Sequence, residues 1–132
     1  MMTDRQLVVA TVMGVVLWFA AATTVRLVPA WFDGGETQAI LFAATILTGI
    51  ATVLVAERLG RADGGELVAM MAWGTGIALV LDGLGVGFLS RLYAGPTDAT
   101  RNGLAVIAWG AGTGLLAALM RAQWKTRRGE RA

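Results

Sequence analysis

The chain has 132 residues, 56% hydrophobic and 15% charged, with a net charge of +2 and neither cysteine nor histidine. That excludes disulfides, thiol redox chemistry, histidine-ligated haem, and zinc or iron–sulfur sites built on Cys and His. Its one lysine, Lys125, stands near the C-terminal end, so no Schiff base can form within an apolar segment.

The first element opens at Thr3-Asp4-Arg5-Gln6, which has capping-box spacing. An apolar run, Leu7–Val25, follows and continues through Arg26-Leu27-Val28-Pro29 to Trp31, giving a first span over 7–31. At about 1.5 Å per residue such a run matches the roughly 30 Å hydrocarbon core of a bilayer. Ala20-Ala21-Ala22 would suit signal-peptide cleavage, but Arg5 balanced by Asp4 is a weak basic leader, so the segment reads as a span. Trp18 and Arg26 share a face through Ala22, where Trp18 serves either packing or a ligand pocket.

Asp33-Gly34-Gly35-Glu36 precedes the second span, 39–56, and Asp63-Gly64-Gly65-Glu66 precedes the third, 67–89. The repeated acids invite a metal-site reading. However, the helices they open run in opposite directions, which would put the two copies on opposite membrane faces. Helix capping is the expectation, with no metal site. In span two, Thr45, Thr48 and Thr52 lie along one face. Their hydroxyls either bond their own helix's carbonyls or form a polar lining.

Span three carries Asp82, at a cost of about 2.5–3.5 kcal/mol in bare hydrocarbon. Thr75, Ala78, Asp82, Gly85 and Leu89 share its stripe, and Arg26 is the expected partner of the acid. An Asp82–Arg26 pair is either a buried ion pair fixing helix register or a coupling site. Gly83 and Gly87 in this span, and Gly110 and Gly114 in span four (103–120), have GxxxG spacing and read as helix-packing positions. Consecutive spans with short links are expected to be antiparallel neighbours. Arg26-Leu27-Val28-Pro29 and Arg91-Leu92 with Pro96 suggest two similar hairpins in parallel arrangement.

Arg5, Arg58, Arg61, Arg121, Lys125, Arg127, Arg128 and Arg131 collect on one side, against Arg26, Arg91 and Arg101 on the other. The positive-inside rule puts both termini in the cytoplasm. Trp31 and Tyr93 then fall at the outer interface and Trp124 at the inner one. The tail 121–132 reads as a topology anchor whose Arg121, Lys125, Arg127, Arg128 and Arg131 attract anionic lipid headgroups. No folded nucleic-acid-binding module accompanies it, so nucleic acid is not an expected partner.

Small multidrug-resistance transporters place a glutamate in span one, which here has no carboxylate. Fluoride channels have a Phe/Ser/Thr-rich third span, and vitamin K epoxide reductase relatives require cysteines; neither feature is present. Three stretches carry a closer likeness: Gly14-Val15-Val16-Leu17-Trp18 leading to Val25-Arg26-Leu27, Leu81-Asp82 leading to Phe88-Leu89-Ser90-Arg91-Leu92-Tyr93, and Trp109-Gly110. In these the chain resembles a bacterial family of small four-span membrane proteins known only as a domain of unknown function. The resemblance implies a four-helix membrane fold and no activity.

The expectation is an all-α four-helix transmembrane bundle of the inner (cytoplasmic) membrane of a bacterium or similar cell. It needs no cofactor. No Ser/His/Asp, Cys/His or paired intramembrane carboxylates can be assembled, so a non-enzymatic role is expected. That role is helix packing, as a homo-oligomer or as an accessory subunit of a membrane complex. The alternative is a small proton- or cation-coupled transporter or channel using Asp82.

Overall fold

The computed structural model describes residues 1–95 and 97–129, so Pro96 and Arg131 lie outside the described residues. Four helices carry the chain: α1 Asp4–Leu27, α2 Glu36–Gly60, α3 Gly64–Phe88 and α4 Asp98–Gly129. All four are long and apolar enough to cross a membrane. Large apolar side chains such as Val16, Phe19, Leu47, Val80 and Leu116 point outward. Helices apolar all round suit a lipid solvent.

The first helix starts as its sequence dictates. Thr3 accepts from the Gln6 N–H at 3.3 Å, and Gln6 Oε1 accepts from the Thr3 N–H at 2.8 Å. The other two expected caps take different roles. Gly35 is the N-cap of α2, and Asp33 instead accepts from the Gly35 N–H at 3.0 Å, tightening the preceding turn. Asp63 is the N-cap of α3, but its side chain turns to Lys125 at 2.5 Å. A nearby ammonium outcompetes the helix N–H groups for that carboxylate. Glu36 and Glu66 still occupy first turns, where the helix dipole favours them.

The tightest pairs are not consecutive. Helix α1 packs on α3 and α2 on α4, while α3 also lies along α4. Helices α1 and α2 touch more sparsely, and α2 and α3 more sparsely still, so consecutive helices are in contact but do not make the tightest pairs. Both tight pairs are parallel. Gln6 donates to Glu66 at 2.9 Å and Trp73 to Thr11 at 3.0 Å, so α1 and α3 run in the same direction. Trp109 donates to the Phe42 carbonyl at 3.1 Å, and Arg121 donates to Glu57 at 3.1 Å, which aligns α2 with α4.

Glycine permits these approaches. A Cβ on Gly74 would stand 2.8 Å from the Ala10 carbonyl oxygen, and one on Gly49 would stand 3.1 Å from the Gly114 Cα. Gly110 backs onto Thr45, where a Cβ would meet the Thr45 Cβ at 3.1 Å. Gly83 and Gly87 have open space at their Cβ positions, so among the described residues they make no close contact with another helix. Of the four glycines expected at helix-packing positions, Gly110 and Gly114 take part in close contacts and Gly83 and Gly87 do not. Gly110 and Gly114 face α2, and Gly83 and Gly87 face outward.

The two halves repeat one design. Helix α1 ends at Val28 with φ −131° and ψ 58°, then a 3₁₀ turn, Pro29–Phe32, leads towards α2. Helix α3 ends at Leu89 with φ −129° and ψ 45°, then a 3₁₀ turn, Ser90–Leu92, leads towards α4. The matching points are Val28 and Leu89. Arg26 stands before the first and Arg91 after the second, so the Arg-Leu pairs do not mark the register of the repeat.

Two apolar clusters close the ends of the helices. One gathers Ala10, Val53, Ala56, Leu67, Met70, Met71 and Ala118; the other gathers Ala22, Val25, Phe32, Tyr93 and Val106.

Candidate functional site: a chamber with one carboxylate

Between the clusters lies a cavity of about 340 Å³, walled by residues of all four helices. Its lining is overwhelmingly apolar. The exceptions include Trp18 from α1, Thr45, Thr48 and Thr52 from α2, and Thr75 and Asp82 from α3. Thus the residues read as a possible polar lining do meet at one cavity. The threonines of α2 also fulfil the bland reading. Thr45, Thr48 and Thr52 donate to the carbonyls of Phe42, Ala44 and Thr48 at 2.9, 3.1 and 2.8 Å, leaving only oxygen lone pairs for the chamber.

Asp82 is 5% exposed. Its expected partner is absent: Arg26 is exposed near the end of α1 and makes no ion pair among the described residues. Arg26 stands exposed in the last turn of α1, where the helix dipole favours a cation and a guanidinium costs less than in hydrocarbon. Tyr93 takes its place, donating its hydroxyl hydrogen to Asp82 Oδ1. The same hydroxyl oxygen accepts from Trp18 Nε1 at 3.1 Å.

This relay depends on the chain reversal after α3. Leu89 breaks the helix, and the 3₁₀ turn Ser90–Leu92 folds Tyr93 back along the last turns of α3. The ring occupies the space left by Gly85, where a Cβ would stand 3.0 Å from Tyr93 Cε2. Tyr93 is 2% exposed, not an interfacial aromatic as its position in a connection suggested. The sequence held one signal: this is the chain's single tyrosine, a few residues beyond the end of the acid's own helix.

One atom is left over. Asp82 Oδ2 is buried and has no hydrogen-bond partner among the described residues. An unpartnered buried carboxylate oxygen is costly, and native structures keep few such atoms.

A second polar constellation lies at the end of the helices that gathers the N-terminus of α1 and the basic stretch of α4. Glu57 binds Arg121 and Lys125, and Lys125 also binds Asp63. Glu57 follows directly on the apolar run 39–56. Its hydrogen bond from Lys125 holds its carboxyl below the usual range despite partial burial, with Arg121 adding to the effect. The Lys125 ammonium is correspondingly raised by Asp63 and Glu57. Arg121 and Lys125 are thus engaged in helix ties. Arg128 stacks 3.8 Å from the centre of the Trp124 ring, and Arg127 is exposed. Among the described residues, no group of three His, Cys, Asp or Glu side chains could hold a metal ion.

No family model, curated protein or solved structure matches the chain.

Proposed function

We propose that the protein is a small four-helix transmembrane bundle that binds a cation or proton at Asp82 and passes it across the membrane. The reading places it in a bacterial-type cytoplasmic membrane with both termini inside, on the asymmetry of its basic residues. Membership of the four-span family that it resembles belongs to the same proposal. Arg127 and Arg128 would face anionic headgroups of the inner leaflet.

One observation carries the choice of transport over helix packing alone. A carboxylate that served only to fix helix register would have both oxygens satisfied, whereas Asp82, a residue of the chamber lining, keeps a buried Oδ2 unpartnered. The mechanism needs no bond chemistry. Tyr93, itself held by Trp18, donates to Oδ1, which fixes the carboxylate and leaves Oδ2 to take a proton or a cation. Helices α1 and α2 both wall the chamber and touch only sparsely, so the chamber would open between them.

A second reading, self-association, is favoured by Gly83 and Gly87, which leave a smooth open face on α3. It is compatible with transport.

The test is proton or cation uptake in proteoliposomes, comparing the native chain with Asp82→Asn. Flux that requires Asp82, with helix content unchanged in the variant, supports the proposal. Flux equal in both proteins, or in neither, contradicts it.

A further inference from the structure

We infer that the chamber's ligand is an organic ammonium ion with an apolar body, held by an N–H group donated to Asp82 Oδ2. The inference rests on the reading that Asp82 binds a cation, and it names which kind.

Charge comes first. Among the described residues Asp82 is the single charged one lining the chamber, so the complement is one positive charge. Hydrogen bonding narrows the choice. Oδ1 is already held by Tyr93, and Oδ2 is buried and lacks a donor. A charge-assisted N–H···O bond would satisfy it, and a quaternary ammonium has no N–H to offer.

Coordination excludes hard metal ions as the fitting ligand. Calcium takes six to eight oxygens at about 2.3–2.6 Å, and magnesium demands near-octahedral geometry. Here the oxygens do not converge. Thr45, Thr48 and Thr52 are spread along α2 over roughly 10 Å at about 1.5 Å per residue. Their hydroxyl hydrogens already go to backbone carbonyls.

Volume points the same way. A cavity of about 340 Å³ is the size of a small organic ligand site. A bare inorganic ion would leave most of it to water against apolar walls. Met13, Met70 and Met71 line it, and flexible thioethers adapt to varied apolar shapes. The Trp18 ring on the same wall is a favourable neighbour for a cation.

The experiment is equilibrium binding to the full chain in lipid nanodiscs, by titration calorimetry. The probes are hexylammonium, its neutral counterpart hexanol, hexyltrimethylammonium, and sodium and lithium chloride. Hexylammonium should bind about tenfold or more tightly than either hexanol or hexyltrimethylammonium, as loss of one charge-assisted hydrogen bond requires. Asp82→Asn should abolish that preference and Asp82→Glu should retain it. The ligand comparison on the native chain stands even if a variant fails to fold. Hexyltrimethylammonium binding as tightly as hexylammonium overturns the inference. Asp82-dependent binding of sodium or lithium without hexylammonium also overturns it, while leaving the cation reading intact. No Asp82-dependent binding of any probe, together with absent proton flux, removes both.

Discussion

Replacing Gly74 with alanine puts the parallel packing of α1 on α3 under direct test. The new Cβ would stand 2.8 Å from the Ala10 carbonyl oxygen and 3.6 Å from its carbon. Both are backbone atoms, so no flexible side chain can move aside and the helices must separate. Overpacking of this kind costs about 1–3 kcal/mol. Alanine also recovers about 0.5–1 kcal/mol of helix preference over glycine. Gly83→Ala supplies the control, because among the described residues nothing beyond its own stretch of helix lies within 4 Å of its Cβ position and only the gain applies. The preference term cancels between the two variants. Gly74→Ala should therefore be less stable than Gly83→Ala by about 1–3 kcal/mol. Denaturing-detergent titration followed by circular dichroism measures the difference. Equal stability, or Gly74→Ala the more stable of the two, would refute the packing scheme.

Three further outcomes are expected. Tyr93→Phe removes the hydroxyl between Trp18 and Asp82 and should cost roughly 1–3 kcal/mol, as buried polar groups lose partners. Adding Asp82→Asn to it should cost less than the sum of the two single changes in the same titration, and strict additivity would argue against the relay. Glu57, whose carboxyl is lowered in the folded chain, contributes stability above its ordinary value. That contribution is lost as pH falls through the lowered value, so Glu57→Gln should flatten the acid limb of a stability–pH profile; an unchanged limb would contradict the tie to Lys125. For sidedness, cysteines introduced singly at Thr3 and Gly129 should resist an impermeant thiol reagent in intact cells, while one at Thr97 should label. The reverse pattern would invert the orientation.

The spans were legible because apolar runs of bilayer length leave few other folds. The acid was legible for the same reason: Asp82 is the one charge in the middle of such a run. Its partner was not. Arg26 is the obvious counter-charge along the sequence, but a guanidinium near a helix end reaches water at little cost. Tyr93 reaches Asp82 only because the chain reverses at Leu89 and Gly85 leaves room for a ring, and neither feature has a periodic signature. Helix pairing was hidden likewise. Gly83–Gly87 and Gly110–Gly114 have the same spacing, yet the first pair faces outward and the second faces α2. Spacing marks a smooth helix face but does not say which surface meets it. The chamber follows from the pairing, so it too lay beyond the sequence.

Whether Asp82 is a working carboxylate can be read most directly from its own vibration. Infrared difference spectroscopy on the chain in lipid, with labelled aspartate and Asp82→Asn to identify the band, reports the state of that one group. A working Asp82 gives a band, lost in the variant, that changes when the pH is stepped and again when hexylammonium is added. A band unmoved by pH and by every cation offered would mean that Asp82 only holds the helices together.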